Sequence, residues 1–507
     1  MIGAGAASAA FPTAVSARKK GQTPAGFLWG TAGAAYQVEG GNIASDLWVV
    51  EQLNTPLFAE PSGDACDVYH RYEEDLALVA RLGFNCHRLG IEWSRIEPER
   101  GQISEAELAY YRRVLQACVR NGLKPVVTFS HFTVPRWVAA SGGFKDPANI
   151  EAFAAHCALL TRAMGDLIHL AATFNEPNLS TVVRWTGLGD KIRPIIESVQ
   201  KAAGASQNAP KWSSPMLGGE TQFDGIIAAH TRAIDTIRQA GGRFPVGLTL
   251  ALPADTAAGG DDGPLKRKQA EMMDRWIAAP GDFIGVQTYT STPVGPEGDL
   301  PPAPGTELTQ MGYPFTPSAV EGAVRMVAAR TSKPIYITEN GVATEDDSRR
   351  IAYIDGAIAG VQRVLADGID LRGYIHWSLL DNWEWMHGYK PKFGLVAVDR
   401  KTFKRTPKPS ASHLGAIARR GGLAPAGGAD GKYGPATTTL VATLQQRLNS
   451  QAAREKWAGW EPLDVDGKWG PATEAAAKSK SGFRKPAPAP KPPEETPVTP
   501  TPYRRYP

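Results

Sequence analysis

The chain has 507 residues, 42% of them hydrophobic, which is enough apolar material for a large buried core and a smaller module. No apolar run of about 18 residues or more occurs, so no membrane-spanning helix is predicted. Residues 1–400 carry a net charge of −6, from 37 basic and 43 acidic side chains, whereas residues 401–507 carry +10, from 18 and 8. The basic segment is expected either to bind an anionic surface such as the cell wall or to be simply solvated. No nucleic-acid partner is predicted.

Residues 1–25 are predicted to form a leader. Small, weakly apolar residues run to Val15-Ser16-Ala17 and precede Arg18, Lys19 and Lys20. This pattern is similar to an export signal, although the usual basic start is missing, and a disordered Ala- and Gly-rich leader is the alternative. If the segment is an export signal, the protein is expected to be periplasmic or secreted.

Eight β-rich runs alternate with helical stretches between residues 26 and 419. The runs are Phe27–Ala35, Asn85–Ile91, Pro125–Phe129, Ala171–Asn175, Val246–Leu250, Phe283–Thr288, Ile335–Glu339 and Leu371–Ser378. Amphipathic patterns predict helices such as Glu105–Asn121, Gln222–Gly241 and Arg349–Gly368. Eight strand-then-helix units predict an α/β fold, a (β/α)8 TIM barrel. A doubly wound open sheet is the weaker alternative, because no GxGxxG follows the first strand.

Polar and aromatic residues cluster where the predicted strands end. They are Arg88, His131, Asn175, Glu176, Tyr289, Glu339 and Trp377. In a barrel the C-terminal ends of all strands meet on one face, so residues far apart in sequence are expected to share one pocket there.

Two glutamates in this set follow apolar strands and have an asparagine beside them. They lie in Thr173–Pro177 and Ile337–Gly341. Cleaving a glycosidic bond with retention needs two carboxyl groups about 5–5.5 Å apart, one as nucleophile and one as acid/base. A single glutamate at a strand end is more often a solvated or capping residue, but two such motifs on the fourth and seventh strands predict a catalytic pair.

Four motifs together resemble glycoside hydrolase family 1, the β-glucosidase-like family, from about Phe27 to Leu414. They are Phe27–Gly40, Thr173–Pro177, Ile335–Gly341 and Trp377–Trp385, in that order along the chain. The resemblance implies a retaining β-glycosidase in which Glu339 is the nucleophile and Glu176 the acid/base. It also implies hydrolysis of a β-linked glycoside such as a β-glucoside, β-galactoside or β-fucoside.

The resemblance assigns further roles residue by residue. Arg88 and Tyr289 are expected to stabilise and orient Glu339, and Asn175 to bind the sugar 2-hydroxyl. The residues expected to bind the sugar are Gln37, His131, Trp377, Glu384 and Trp385. Carboxylate and amide groups pair with sugar hydroxyls and indole rings pack on C–H faces, whereas Glu384 would repel a phosphorylated sugar.

The chain departs from the family pattern at three places. Phe132 stands where Trp is usual, Gln287-Thr288-Tyr289 replaces Asn-Tyr-Tyr, and the segment from Gly187 to Pro215 does not match the familiar loop. These departures leave the sugar preference and the leaving-group side open. A transglycosidase and a catalytically silent wall-binding protein are the alternative functions. No ligand cluster or phosphate-binding loop is visible, so no metal or other cofactor is predicted.

Residues 420–507 are predicted to form a linker (420–429), a small, mostly helical module (430–484) and a Pro-rich, disordered tail (485–507). Within the module, Asp430–Thr437 is repeated as Asp466–Thr473, with a Gly turn, an aromatic residue and a Pro in each copy. These repeats resemble peptidoglycan-binding modules, which implies peptidoglycan as a partner. The alternative is a module that keeps the fold without the binding.

Overall fold

The structure, a computed structural model, describes residues 23–53, 55 and 57–423. The module, the tail, most of the linker and residues 1–22 of the leader lie outside the described residues. Within this part, eight parallel strands close into a barrel. They are β1 (Leu28–Ala32), β2 (Cys86–Gly90), β3 (Lys124–Ser130), β4 (Leu170–Asn175), β5 (Val246–Ala251), β6 (Phe283–Gln287), β7 (Ile335–Asn340) and β8 (Leu371–His376).

Each barrel strand pairs with its neighbours in chain order, and β1 pairs with both β2 and β8 to close the ring. The strands are buried on both faces, which is why they appear in the sequence as nearly continuous apolar runs. The register sets Asn175 beside Thr249 and Glu339 beside Gln287 at the C-terminal ends of the strands.

A helix follows each strand and covers the outside of the barrel. These helices are α1 (Val68–Leu82), α2 (Glu105–Arg120), α3 (Pro147–Met164), α4 (Phe223–Gln239), α5 (Gly263–Ala278), α6 (Ala319–Ala328), α7 (Asp347–Ala366) and α8 (Pro409–Arg420). Several begin at a side chain that accepts a hydrogen bond from a free backbone N–H, as Ser104 does for α2 and Asp346 for α7. α8 ends at Arg420, followed by Gly421 in the left-handed region, so the first residue of the predicted linker is still helical.

The loops at the strand ends carry shorter elements. The short α-helices are Ala35–Val38, Asp46–Glu51, Trp93–Ile96, Arg136–Ala140, Leu179–Trp185 and Pro215–Gly218; the 3-10 turns are Gly143–Lys145, Gly219–Gln222 and Trp385–His387. The short strands are Thr256–Ala257, Pro293–Gly295 and Gly298–Asp299 in one sheet, and Val396–Val398 and Arg405–Pro407 in another. The segment that matched no familiar loop forms a long helix, Leu188–Ser206, called here the loop helix.

The closed barrel confirms the predicted fold class, and the doubly wound open sheet is wrong. All eight predicted strands exist, but the first ends at Ala32, because residues 35–38 form a helical turn. All four cysteines (Cys66, Cys86, Cys118 and Cys157) are buried free thiols. No helix in the described part of the chain is long and apolar enough to cross a membrane.

Candidate active site

Glu176 and Glu339 both lie at the C-terminal face of the barrel, as the sequence predicts. Glu339 is the fifth residue of β7, and Glu176 follows the last residue of β4. Glu176 has a left-handed backbone (φ 43°), and its N–H donates to the Thr249 carbonyl oxygen at 2.8 Å. This turn ends the strand immediately before Pro177, at the rim of the barrel.

Two donors contact the Glu339 carboxylate. Arg88 Nη1 donates to Oε1, and the Tyr289 hydroxyl donates to Oε2 at 2.6 Å. Burial raises the pKa of Glu339, but the charge and hydrogen bond of Arg88 and the hydrogen bond of Tyr289 oppose that rise. These contacts favour the ionised carboxylate that a nucleophile needs.

Glu176 lies in a different environment. Its side chain accepts no hydrogen bond from any residue that the structure describes. Burial and the charge of Glu339 raise its pKa well above the usual value, and Arg88 opposes this only in part. The geometry therefore separates the two carboxyl groups into one that keeps a proton and one that loses it.

Asn175 is held by its side-chain oxygen. Oδ1 accepts hydrogen bonds from Arg88 Nη2 at 2.5 Å, from Gln287 Nε2 at 2.9 Å and from the Thr249 hydroxyl at 3.3 Å. Among the described residues, no acceptor contacts its amide nitrogen. The side-chain NH2 of Asn175 is therefore the group left to donate to a substrate hydroxyl.

A second polar cluster lies at the same face. Glu384 accepts hydrogen bonds from Trp377 Nε1 at 3.3 Å and from Gln37 Nε2 at 3.4 Å. Gln37 also donates to the Trp383 carbonyl oxygen at 2.8 Å. Burial, with a contribution from the charge of Glu339, raises the pKa of Glu384 to about 8. This carboxyl is close enough to Glu339 to sense its charge, which links the two clusters.

Aromatic rings line the pocket between these groups. The His131 ring stacks on Trp377 with centroids 5.7 Å apart and lies nearly parallel to Trp385 at 6.2 Å. Phe132, which stands where Trp is usual, meets Trp385 edge-on at 5.4 Å. Burial and the charge of Arg88 lower the pKa of His131, so its imidazole is neutral at pH 7.

The structure thus brings together all ten residues singled out in the sequence, and it adds three more. Gln287 and Thr249 fix Asn175, and Tyr313 lies near both Glu176 and Glu384. Burial of the Tyr313 hydroxyl and the charges of these two glutamates raise its pKa to about 12. In the sequence, Gln287 is visible only as a departure from the family pattern. Tyr313 lies in a long loop and belongs to no motif, so its position near the two glutamates is not predictable from the sequence.

A cavity of about 1120 Å³ opens beside Glu176. Asn175 and Glu176 line it where it meets the barrel, and the loop helix lines it farther out. Glu339 and Glu384, which are both buried, do not line it.

A (β/α)8 barrel with one buried and one half-buried carboxyl group in unequal environments at its C-terminal face is typical of a glycoside hydrolase. The sequence pattern of glycosyl hydrolase family 1 matches residues 19–280 and 270–423. The chain belongs to this family and is a β-glucosidase-like enzyme.

Similar proteins are named as beta-glucosidases or a beta-glycosidase. The chain is 31% identical over 448 residues to thermostable beta-glucosidase B of Thermobispora bispora, covering 79% of this chain and 91% of that protein. The apo structure of a beta-glucosidase 1317 matches with a TM-score of 0.77 at 57% identity, covering 78% of this chain and 99% of that one. A beta-glycosidase from Pyrococcus horikoshii matches with a TM-score of 0.69 at 29% identity, covering 80% and 97%.

Proposed function

We propose that the protein is a retaining β-glycosidase that hydrolyses non-phosphorylated β-glucosides or closely related glycosides. The observation that carries the proposal is the asymmetry of the glutamate pair. Arg88 and Tyr289 hold Glu339 as an anion, while Glu176, without a donor among the described residues, lies half-buried beside that charge. Retaining catalysis needs this division between nucleophile and acid.

In the first step, Glu339 attacks the anomeric carbon while Glu176 donates its proton to the glycosidic oxygen. The bond to the leaving group breaks, the alcohol departs and a covalent glycosyl-enzyme forms. The ester has no charge at Glu339, so the interaction that held the proton on Glu176 is reduced. Glu176 can then take a proton from water, which attacks the anomeric carbon and releases the sugar and Glu339.

The remaining residues are assigned to binding. The Asn175 amide donates to the 2-hydroxyl, a contact that strengthens as the oxocarbenium-like transition state forms. Gln37 and Glu384 pair with outer hydroxyls, and Trp377 supplies an apolar surface for the ring. Because its pKa is raised to about 8, Glu384 is mostly protonated at pH 7 and pairs with the hydroxyls of a neutral sugar. It repels a substrate phosphate only at higher pH, where it is ionised.

The test is a panel of 4-nitrophenyl β-glucoside, β-galactoside and β-fucoside, with the first-formed anomer of the released sugar followed by NMR. We expect nitrophenol release from at least one glycoside and the β-anomer as the first product. An α-anomer would contradict retention. No release from any of the three by folded protein would instead favour the silent wall-binding alternative. Added acceptor alcohols separate hydrolysis from transglycosylation by their glycoside products.

A further inference from the structure

The cavity beside Glu176 is larger than one sugar site requires. Its volume of about 1120 Å³ exceeds the range of about 300–1,000 Å³ in which most small-molecule pockets fall. Glu176 lines this cavity, and an acid that protonates the glycosidic oxygen must face the leaving group. The occupant of this cavity is therefore the leaving group rather than the sugar that bonds to Glu339.

The walls of this cavity are mainly apolar. Ile192 and Ile196 lie one turn apart on the loop helix, and both line the cavity. Other lining side chains with apolar surface are Phe58, Phe132, Met216 and Met386. Burial of apolar surface against such walls is favourable by about 25 cal/mol per Å².

Several polar groups of the lining already have partners. Glu220 accepts hydrogen bonds from the Thr181 hydroxyl and from Arg184 Nε, both at 2.9 Å, and Gln200 donates to the Leu217 carbonyl oxygen. Charged residues of the loop helix that line the cavity, Arg193, Glu197 and Lys201, are exposed at its edge. Lys145 and Asn208, which also line the cavity, are likewise exposed, and Ser180 is half-buried. A second sugar would therefore find its hydroxyl partners mainly on exposed side chains.

We propose that the natural leaving group is a bulky, mainly apolar alcohol, such as a long alkyl or polycyclic one, held against the loop helix. This inference rests on the proposed glycosidase function and specifies its substrate class. Binding energy from such a group, remote from the breaking bond, can lower the barrier at the anomeric carbon.

The experiment compares n-alkyl β-glucosides from methyl to octyl, because their leaving groups differ in apolar length far more than in chemistry. We expect kcat/KM to rise about twofold per methylene, because each added methylene buries apolar surface against the cavity wall, although not completely. Cellobiose, with a sugar as leaving group, should be a poorer substrate than octyl β-glucoside. A flat alkyl series, or a preference for cellobiose, would overturn the inference.

A pair of variants on adjacent positions tests the location. Ile196→Gln replaces a cavity-lining side chain and should lower the octyl-to-methyl ratio of kcat/KM. Ile195→Gln changes an exposed side chain of the same helix that does not line the cavity, and should leave the ratio and the activity at wild-type values. Thermal melting verifies that both fold. Equal ratios for the two variants would place the leaving group elsewhere.

The two proposals fail in different ways. Turnover of 4-nitrophenyl β-glucoside together with a flat alkyl series would overturn only the apolar leaving group. Absence of turnover with every glycoside would overturn the glycosidase function and the inference with it.

Discussion

Glu176 and Glu339 are the same residue type in one buried site, and their neighbours make them chemically different. Two hydrogen-bond donors and the charge of Arg88 act on Glu339, whereas burial and the charge of Glu339 act on Glu176. Removing one donor should therefore change the pH profile as well as the rate.

Tyr289→Phe removes the hydroxyl that donates to Glu339 Oε2 at 2.6 Å. That hydrogen bond lowers the pKa of Glu339, so its loss should raise this pKa and move the acid limb of the kcat/KM profile to higher pH by about one unit. A hydrogen bond to a charged group is worth about 1.5–3 kcal/mol, which corresponds to a roughly 10- to 100-fold fall in rate. Rate profiles with 4-nitrophenyl β-glucoside measure both effects.

Glu339→Gln serves as the reference for complete loss in the same experiment. It should reduce turnover by several orders of magnitude without changing the fold, because an amide cannot form the glycosyl ester. Substantial hydrolysis by this variant would mean that Glu339 is not the nucleophile. An unshifted acid limb for Tyr289→Phe would mean that the Tyr289 hydroxyl does not lower the pKa of Glu339.

Glu176→Ala should affect substrates unequally. Leaving groups that need protonation, such as alkyl alcohols, should lose far more rate than 2,4-dinitrophenolate, which departs without a proton. Azide fits the space left by the carboxylate and needs no general base, so it should restore turnover and give a β-glycosyl azide, identified by NMR. An α-azide, or equal losses for both substrate types, would contradict the assignment of Glu176 as acid/base.

The strands of the barrel can be predicted from the sequence, because the burial of each strand determines the residue types within that strand. Strands buried on both faces must be apolar along their length, so the eight runs appear directly in the sequence. The ends of the strands are harder to predict from the sequence. The apolar run that begins at Phe27 continues past Ala32, where the strand ends, to residues 35–38, which form a helical turn. The pairing of Gln37 with Glu384, 347 positions apart, depends on the closed ring and was accessible only through family resemblance.

The loop helix itself can be predicted from the sequence, but its position in the molecule cannot. Residues 188–206 have the spacing of an amphipathic helix, with Ile192, Ile196, Val199 and Ala203 on one face. Sequence comparison marked this segment only as unlike the familiar loop. That it lines a cavity next to Glu176 depends on the path of the chain between β4 and α4, which no short pattern encodes.

One short element carries a buried acid that should make stability depend on pH. Asp46 begins the helix Asp46–Glu51 and is fully buried; its Oδ1 accepts hydrogen bonds from Ser45 Oγ and the Val134 N–H. Burial raises its pKa to about 7, against about 3.9 in an unfolded chain. The folded state therefore favours the protonated form. The resulting stability is complete below about pH 4 and is lost as pH rises through about 7.

Asp46→Asn keeps the Oδ1 acceptor and cannot ionise. Its melting temperature relative to wild type should increase by a few degrees between pH 5 and pH 8, as measured by calorimetry. Asp224→Asn, in the first turn of α4 but 95% exposed, is the matched control and should show a pH-independent difference. A decrease for Asp46→Asn over this range would show that the folded state favours ionised Asp46.

At the scale of the whole molecule, the charge distribution divides the chain. Residues 1–420, up to the end of α8, carry no net charge, from 43 basic and 43 acidic side chains. Residues 421–507, which contain the repeated Asp-Gly-Lys segments, carry +4, from 12 basic and 8 acidic side chains. A basic segment that resembles a wall-binding module suits an exported enzyme held at an anionic polymer. We propose that the protein acts outside the cytoplasm in association with peptidoglycan.

Co-sedimentation with purified peptidoglycan sacculi tests that association, comparing the full chain with a version ending at Gly422, just after α8 completes the barrel. The full chain should pellet with the sacculi and the shorter one should stay in solution, while both hydrolyse 4-nitrophenyl β-glucoside with the same kcat. Repeating the assay in 0.5 M NaCl, about fivefold above the ~0.1 M at which the Debye length is about 10 Å, separates charge attraction from specific binding. Binding of the full chain to the sacculi in 0.5 M NaCl would support a specific wall-binding module. Equal sedimentation of the two chains would contradict the proposed role of the C-terminal segment.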